Sequence, residues 1–342
     1  MSTRAFIVGV SGLALTGEEL AFMREQKPWG FILFKRNAES PAQVAALVAE
    51  LRQSVGRLDA PVLIDQEGGR VQRLGPPHWP SYPPGAVFGA LYDLAPADGL
   101  RAAWLSSRLI AADLNELGIT VDCLPLADVP VPGADAVIGD RAYGTTPEKV
   151  AKIARAVSQG LEDGGVLPVL KHIPGHGRAT ADSHTQLPTV DTSRLELARA
   201  DFAAFQPLAD LPMAMTAHVV FSALDAAQPA TTSATIINEV IRGTIGFQGL
   251  LMSDDVSMNA LSGSLGERTA AIVAAGCDMV LHCNGKMDEM RAVASMTPRL
   301  TGEALARADR ALASRKTPQS FDRASGRDEL DALVARAGSL IA

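Results

Sequence analysis

Long apolar runs, basic runs and closely paired cysteines are all missing from this 342-residue chain. No apolar stretch reaches the roughly 20 residues that a membrane span requires, so a spanning helix is not expected. Lys and Arg total 31 against 38 Asp and Glu, a net charge of −7. With no basic run, the chain lacks the electrostatic footprint of a nucleic-acid or anionic-lipid binder, and neutral or weakly charged small molecules are the expected partners. The cysteines Cys123, Cys277 and Cys283 are odd in number and without paired metal-ligand spacing, which fits a reducing, cytoplasmic setting. Near the start, Arg4 and the apolar residues after it imitate an export signal. Gly9 and Gly12 interrupt that run, no small-x-small cleavage pattern follows, and Thr16-Gly17-Glu18-Glu19 reads as the start of a helix. The run is expected to be a first strand.

What the chain does have is a recurrence. Short runs rich in Val, Ile, Leu and Met fall at residues 5–10, 30–34, 61–64, 119–124, 166–170, 212–216, 249–253 and 278–282. Their continuous hydrophobicity suits parallel strands covered by helices on one side and packed side chains on the other. Helical stretches alternate with them at residues 16–26, 40–55, 96–117, 147–163, 193–209, 233–245 and 267–275, with two or more after 286. Ser40-Pro41 and Thr146-Pro147 place a capping hydroxyl before a proline, and Gly118 and Gly164-Gly165 stand where helices should stop. Eight alternations without a composition break predict an α/β fold, a (β/α)₈ TIM barrel forming one domain over residues 1–342. Residues 66–93, 125–145 and 173–190 read as long connections after strands, the place where barrel enzymes carry their chemistry. Residues 317–328, within an otherwise helical tail, are polar enough for a surface loop.

Polar groups recur at the ends of the apolar runs: Asp65, Lys171 with His172, His218, Asp254 with Asp255, and His282. One such residue alone is commonly a solvated loop residue or a cap, but a closed barrel brings all of them to one mouth. Side chains alternate along a strand, so Asp254 and Asp255 cannot both face the barrel axis. Spacing does not say which one does. His172, His176 and His184 invite a metal reading, yet Pro174, Gly175 and Gly177 exclude a helical i, i+4 pair. Asp182-x-His184 suits a carboxylate fixing the tautomer of a proton-shuttling imidazole, or simply a stitch in a glycine-containing loop. Arg73 and Arg141, beside glycines, can bind sugar hydroxyls through charge-assisted hydrogen bonds.

Four strings, Ile64-Asp65-Gln66-Glu67-Gly68-Gly69-Arg70-Val71-Gln72-Arg73, Lys171-His172-Ile173-Pro174-Gly175-His176-Gly177, Asp182-Ser183-His184 and Met252-Ser253-Asp254-Asp255-Val256-Ser257-Met258, resemble those of family-three glycoside hydrolases. The likeness is to the bacterial β-N-acetylhexosaminidases of cell-wall recycling. That resemblance implies Asp254 as nucleophile, His184 held by Asp182 as acid and base, and Asp65, Arg73, Arg141, Lys171 and His172 as the grip on a terminal N-acetylglucosamine. It implies a metal-free, cofactor-free, monomeric enzyme acting with retention on N-acetylglucosamine β-1,4-linked to anhydro-N-acetylmuramic acid, with or without peptide. The readings set against it are a metal-dependent amidohydrolase barrel, a related glucosidase or phosphorylase, and a silent glycan-binding barrel.

Overall fold

The computed structural model describes residues 3–341, and the side chains of residues 3–337. Eight parallel strands close into a barrel: β1 (Arg4–Gly9), β2 (Pro28–Leu33), β3 (Val62–Ile64), β4 (Val121–Asp122), β5 (Leu167–Ile173), β6 (Met213–Thr216), β7 (Leu250–Asp255) and β8 (Met279–His282), with β8 pairing back onto β1. All eight overlap the apolar runs in the sequence. Alternation along the strands separates two cores. Ile7, Leu63, Val121, Val169, Met215, Met252 and Leu281 fill the interior of the barrel, while Phe6, Val62, Leu170, Ala214, Leu251 and Val280 pack outward with the helices. Continuing the inward set by two residues places Asp65 after Leu63, Lys171 after Val169 and Asp254 after Met252 at the mouth.

Helix starts follow local chemistry. Thr16 and Glu19 make a capping box ahead of Gly17–Gln26, and Ser40 caps Pro41–Val55. Thr146 makes no such side-chain bond, and there Pro147 alone marks the first turn. Other departures are informative. The connection expected over residues 66–93 contains a helix, Gly85–Leu94, and the stretch expected as one helix over 193–209 breaks at Ala200 into Arg194–Arg199, Asp201–Phe205 and a short tight turn. Ile236–Thr244 is wound wide, with Ile245 N–H donating five residues back to Val240 O at 2.8 Å. In the tail the loop ends early, because a helix runs over Arg323–Ile341. Among the described residues no helix is long and apolar enough to cross a membrane.

Candidate active site

The C-terminal strand ends surround a cavity of about 520 Å³ whose walls include Asp65, Arg73, Arg141, Lys171, His172, Asp182, His184 and Asp254. The fold thus brings together all eight residues to which the resemblance assigns a role, from six separate segments. A second hollow of about 600 Å³ lies in the helical layer, between Pro96–Glu116 and Pro147–Asp163, away from these groups.

On one wall the charges are knitted together. Lys171 Nζ lies 3.0 Å from Asp65 Oδ1 and 2.6 Å from Glu67 Oε1. Arg73 donates to Asp65 Oδ2 at 3.0 Å, and Arg141 grips both oxygens of Glu67 at 2.8 and 2.9 Å. Burial pushes both carboxyls up, but the cations outweigh it. Asp65 is held far below the usual carboxylate range by Lys171 and Arg73, and Glu67 is held down to about 2 by Lys171 and Arg141. In return the two carboxylates outweigh the burial of Lys171 and keep its ammonium charged. An ammonium has three donors, so one remains for a ligand hydroxyl.

Asp254 and Asp255 divide as alternation requires. The Asp255 carboxylate accepts from Ser257 N–H at 3.0 Å, Ser257 Oγ–H at 2.6 Å and Cys283 N–H at 3.2 Å, and so straps β7 to the loop after β8. Asp254 accepts only the Asp255 N–H, at 2.8 Å on Oδ1, and among the described residues its Oδ2 has no hydrogen-bond partner. Burial raises the Asp254 carboxyl, while His218, His172 and the Asp255 N–H more than offset this and leave it below its ordinary value. A carboxylate so held is ionised and has one free oxygen.

The imidazoles also divide. His172 donates from Nδ1 to Asp128 Oδ2 at 2.7 Å, which leaves Nε2 as the ring's other polar atom. His176 is buried and its N–H donates to Asp128 Oδ1 at 2.6 Å. His184 lies 2.7 Å from Asp182 through Nδ1. Burial raises the Asp182 carboxyl, and the His184 N–H and ring bring it below the usual range. Two histidines expected at the mouth are occupied elsewhere. His218 is buried between Thr231 and the Asp255 carbonyl, and His282 turns outward to Glu289 at 3.0 Å. Among the described residues no group of three or more His, Cys, Asp or Glu is arranged to hold a metal ion.

A barrel whose mouth holds an ionised carboxylate with one free oxygen, a carboxylate-held imidazole and a wall of aimed cations suits glycosyl transfer, and the family profile agrees. The profile of the glycosyl hydrolase family 3 N-terminal domain matches residues 14–312. The chain belongs to this family. Similar proteins include a β-hexosaminidase of Alkalilimnicola ehrlichii, 40% identical over 282 residues that cover 81% of this chain and 80% of that one. Among solved structures, NagZ from Neisseria gonorrhoeae in complex with N-trifluoroacetyl-D-glucosamine is 30% identical with a TM-score of 0.83, over 100% of this chain and 99% of that one. A family 3 β-N-acetylglucosaminidase from a Paenibacillus species is 32% identical with a TM-score of 0.84, over 97% of this chain and 66% of the longer Paenibacillus chain.

Two residues of this glycoside hydrolase's site were not singled out in the sequence. Glu67 carried a signal, because Asp65-x-Glu67 is a spacing that can put both carboxylates on one side of an extended segment. Asp128 carried none, being a single acid in a loop whose partners lie 44 and 48 residues further on.

Proposed function

We propose that this family 3 enzyme is a retaining exo-β-N-acetylglucosaminidase. Asp254 attacks the anomeric carbon and forms a glycosyl ester while His184 gives a proton to the leaving oxygen. The same imidazole, now neutral, then takes a proton from water as the ester is hydrolysed. Asp65, Arg73, Arg141, Lys171 and His172 hold the sugar hydroxyls. The observation that carries this reading is the ionised Asp254 carboxylate with one uncommitted oxygen, in the same cavity as the Asp182–His184 pair. The names of its relatives, β-hexosaminidase and β-N-acetylglucosaminidase, and the glucosamine derivative bound by the Neisseria protein support the sugar. The reading extends to a cytoplasmic, single-domain monomer that removes N-acetylglucosamine from anhydro-N-acetylmuramic acid, with or without peptide, during wall recycling.

The test is trapping with a 5-fluoro N-acetylglucosaminide, followed by peptide mapping. A label on Asp254 supports the mechanism, whereas a label on Asp255, or none, overturns it. Aryl N-acetylglucosaminide compared with aryl glucoside tests the sugar. Product analysis with and without phosphate tests whether water is the acceptor, and activity after exhaustive chelation tests the metal-free reading.

A further inference from the structure

The loop carrying Asp182 and His184 is tied at both ends. Val131 N–H donates to Gly177 O and Asp135 N–H to Ala179 O at its start, and Val220 N–H donates to Pro188 O at its return. Between those ties, among the described residues, the hydrogen bonds of residues 180–187 close within the loop, with one exception. His176 Nε2 lies 3.0 Å from Ser183 Oγ. Both partners are interior, His176 at 2% and Ser183 at 3% exposure, while the side chains flanking Ser183 are open, Asp182 at 36% and His184 at 66%. The middle of the loop is thus tied to the barrel by one hydrogen bond, and that bond lies between the two residues of the proposed acid/base pair.

The anchor on the barrel side is itself fixed. His176 N–H donates to Asp128 Oδ1. The next residue, Gly177, lies so close to Val129 that an added Cβ would come within 2.1 Å of its carbonyl oxygen. His176 Nδ1 is buried with no partner. Burial and the neighbouring His172 hold the ring down to about 4, so near neutrality it carries one proton. Ser183 Oγ can accept from an Nε2–H or donate to a bare Nε2, so the contact holds for either tautomer of the neutral ring.

We propose that the His176–Ser183 hydrogen bond is the latch that holds the Asp182–His184 pair at the cavity, which makes His176 and Ser183 positioning residues for proton transfer. The proposal rests on the reading of His184 as the acid and base. With Ser183 drawn inward, the neighbouring side chains have a defined direction. Without the bond, the chain between Ala179 and Pro188 is free to swing, and the imidazole spends less time in reach of the leaving oxygen.

The test measures Ser183→Ala, Ser183→Thr, His184→Ala and the Ser183→Ala/His184→Ala pair on aryl N-acetylglucosaminides with poor (phenol) and good (dinitrophenol) leaving groups. Ser183→Ala should lose roughly tenfold in kcat/KM with the poor leaving group and less than about twofold with the good one. Inhibition by free N-acetylglucosamine should not change, and Ser183→Thr should recover most of the loss. In the His184→Ala background Ser183→Ala should cost nothing further. Proteolysis between residues 180 and 187 should quicken in Ser183→Ala without a change in Tm. Equal losses for both leaving groups, or a further loss in the double variant, overturn the latch. If His184→Ala itself shows no leaving-group dependence, the acid/base reading fails instead, and the latch loses its role with it.

Discussion

The two halves of the cavity are built by opposite means. Asp65, Glu67, Arg141 and Lys171 stand at strand ends or in a loop clamped to them, largely buried, with Arg73 partly exposed beside them. Their charges are paired at 3.0 Å or less. Asp182, half-buried, and His184, largely open, stand on a loop tied to the barrel by one neighbour's hydrogen bond. The contrast separates two requirements. A grip on sugar hydroxyls gains from donors already aimed and desolvated before substrate arrives. A proton donor that serves two successive steps gains from access to leaving group and then to water, which a movable loop allows.

Three substitutions bear on that division, the largest effect first. Asp254→Asn removes the proposed nucleophile and should lower kcat on the order of 10⁴-fold or more, measured by steady-state hydrolysis with the Tm as a control on folding. An amide variant with normal rates would remove Asp254 from the mechanism. His184→Ala should lose about 10²- to 10⁴-fold with a poor leaving group, yet change stability by no more than about 0.5 kcal/mol because its side chain is mostly in water. Glu67→Ala should show the converse pattern. It leaves Arg141 and Lys171 facing each other without their shared carboxylate and should destabilise the fold by about 3–5 kcal/mol in urea or thermal melts. The division fails if His184→Ala unfolds the protein and Glu67→Ala does not.

The same contrast explains what was legible in the sequence. The barrel was, because each strand is a run of consecutive buried apolar residues whose pattern is local. The mouth was partly so, since Asp65 and Lys171 of the grip, and Asp254 beside them, continue the inward alternation of their own strands. Asp128 was hidden because its role exists only once β5 is beside the loop that follows β4. His282 was misplaced to the mouth because its parity on β8 turns it outward to Glu289, a helix residue that no strand pattern mentions. The helix Gly85–Leu94 was masked by the prolines before it, and it starts after Pro84 without a side-chain cap. The helix break at Ala200 was not legible either. It leaves Asp201 buried under Gly175 and 2.6 Å from Arg178, a contact across the loop that helical periodicity alone does not anticipate.

Acid should loosen the two halves in a fixed order. Unfolded, His176 takes up a proton near its ordinary 6.5, but in the fold burial and His172 delay this to about 4, against the pull of Asp128 and Asp254. Its neutral form therefore stabilises the fold fully above pH 6.5, and that contribution drains away as the pH falls through about 4. Glu67 is depressed from 4.5 to about 2, so its contribution is complete above 4.5 and is lost only as the pH falls through 2. Asp201, pushed up to about 6 by burial despite Arg178, works in the other direction, its contribution being complete below its ordinary 3.8 and lost as the pH rises through 6. It therefore slows the loosening near the loop on the way down. Amide protection, corrected for the intrinsic pH dependence of exchange, should accordingly fall across residues 180–187 near pH 5 while the ends of β3 and β5 stay protected, and those should follow only below about pH 4.5. Exchange that rises in both regions together would mean that the loop and the ion network open as one unit, and the separation between a fixed grip and a movable proton donor would not hold.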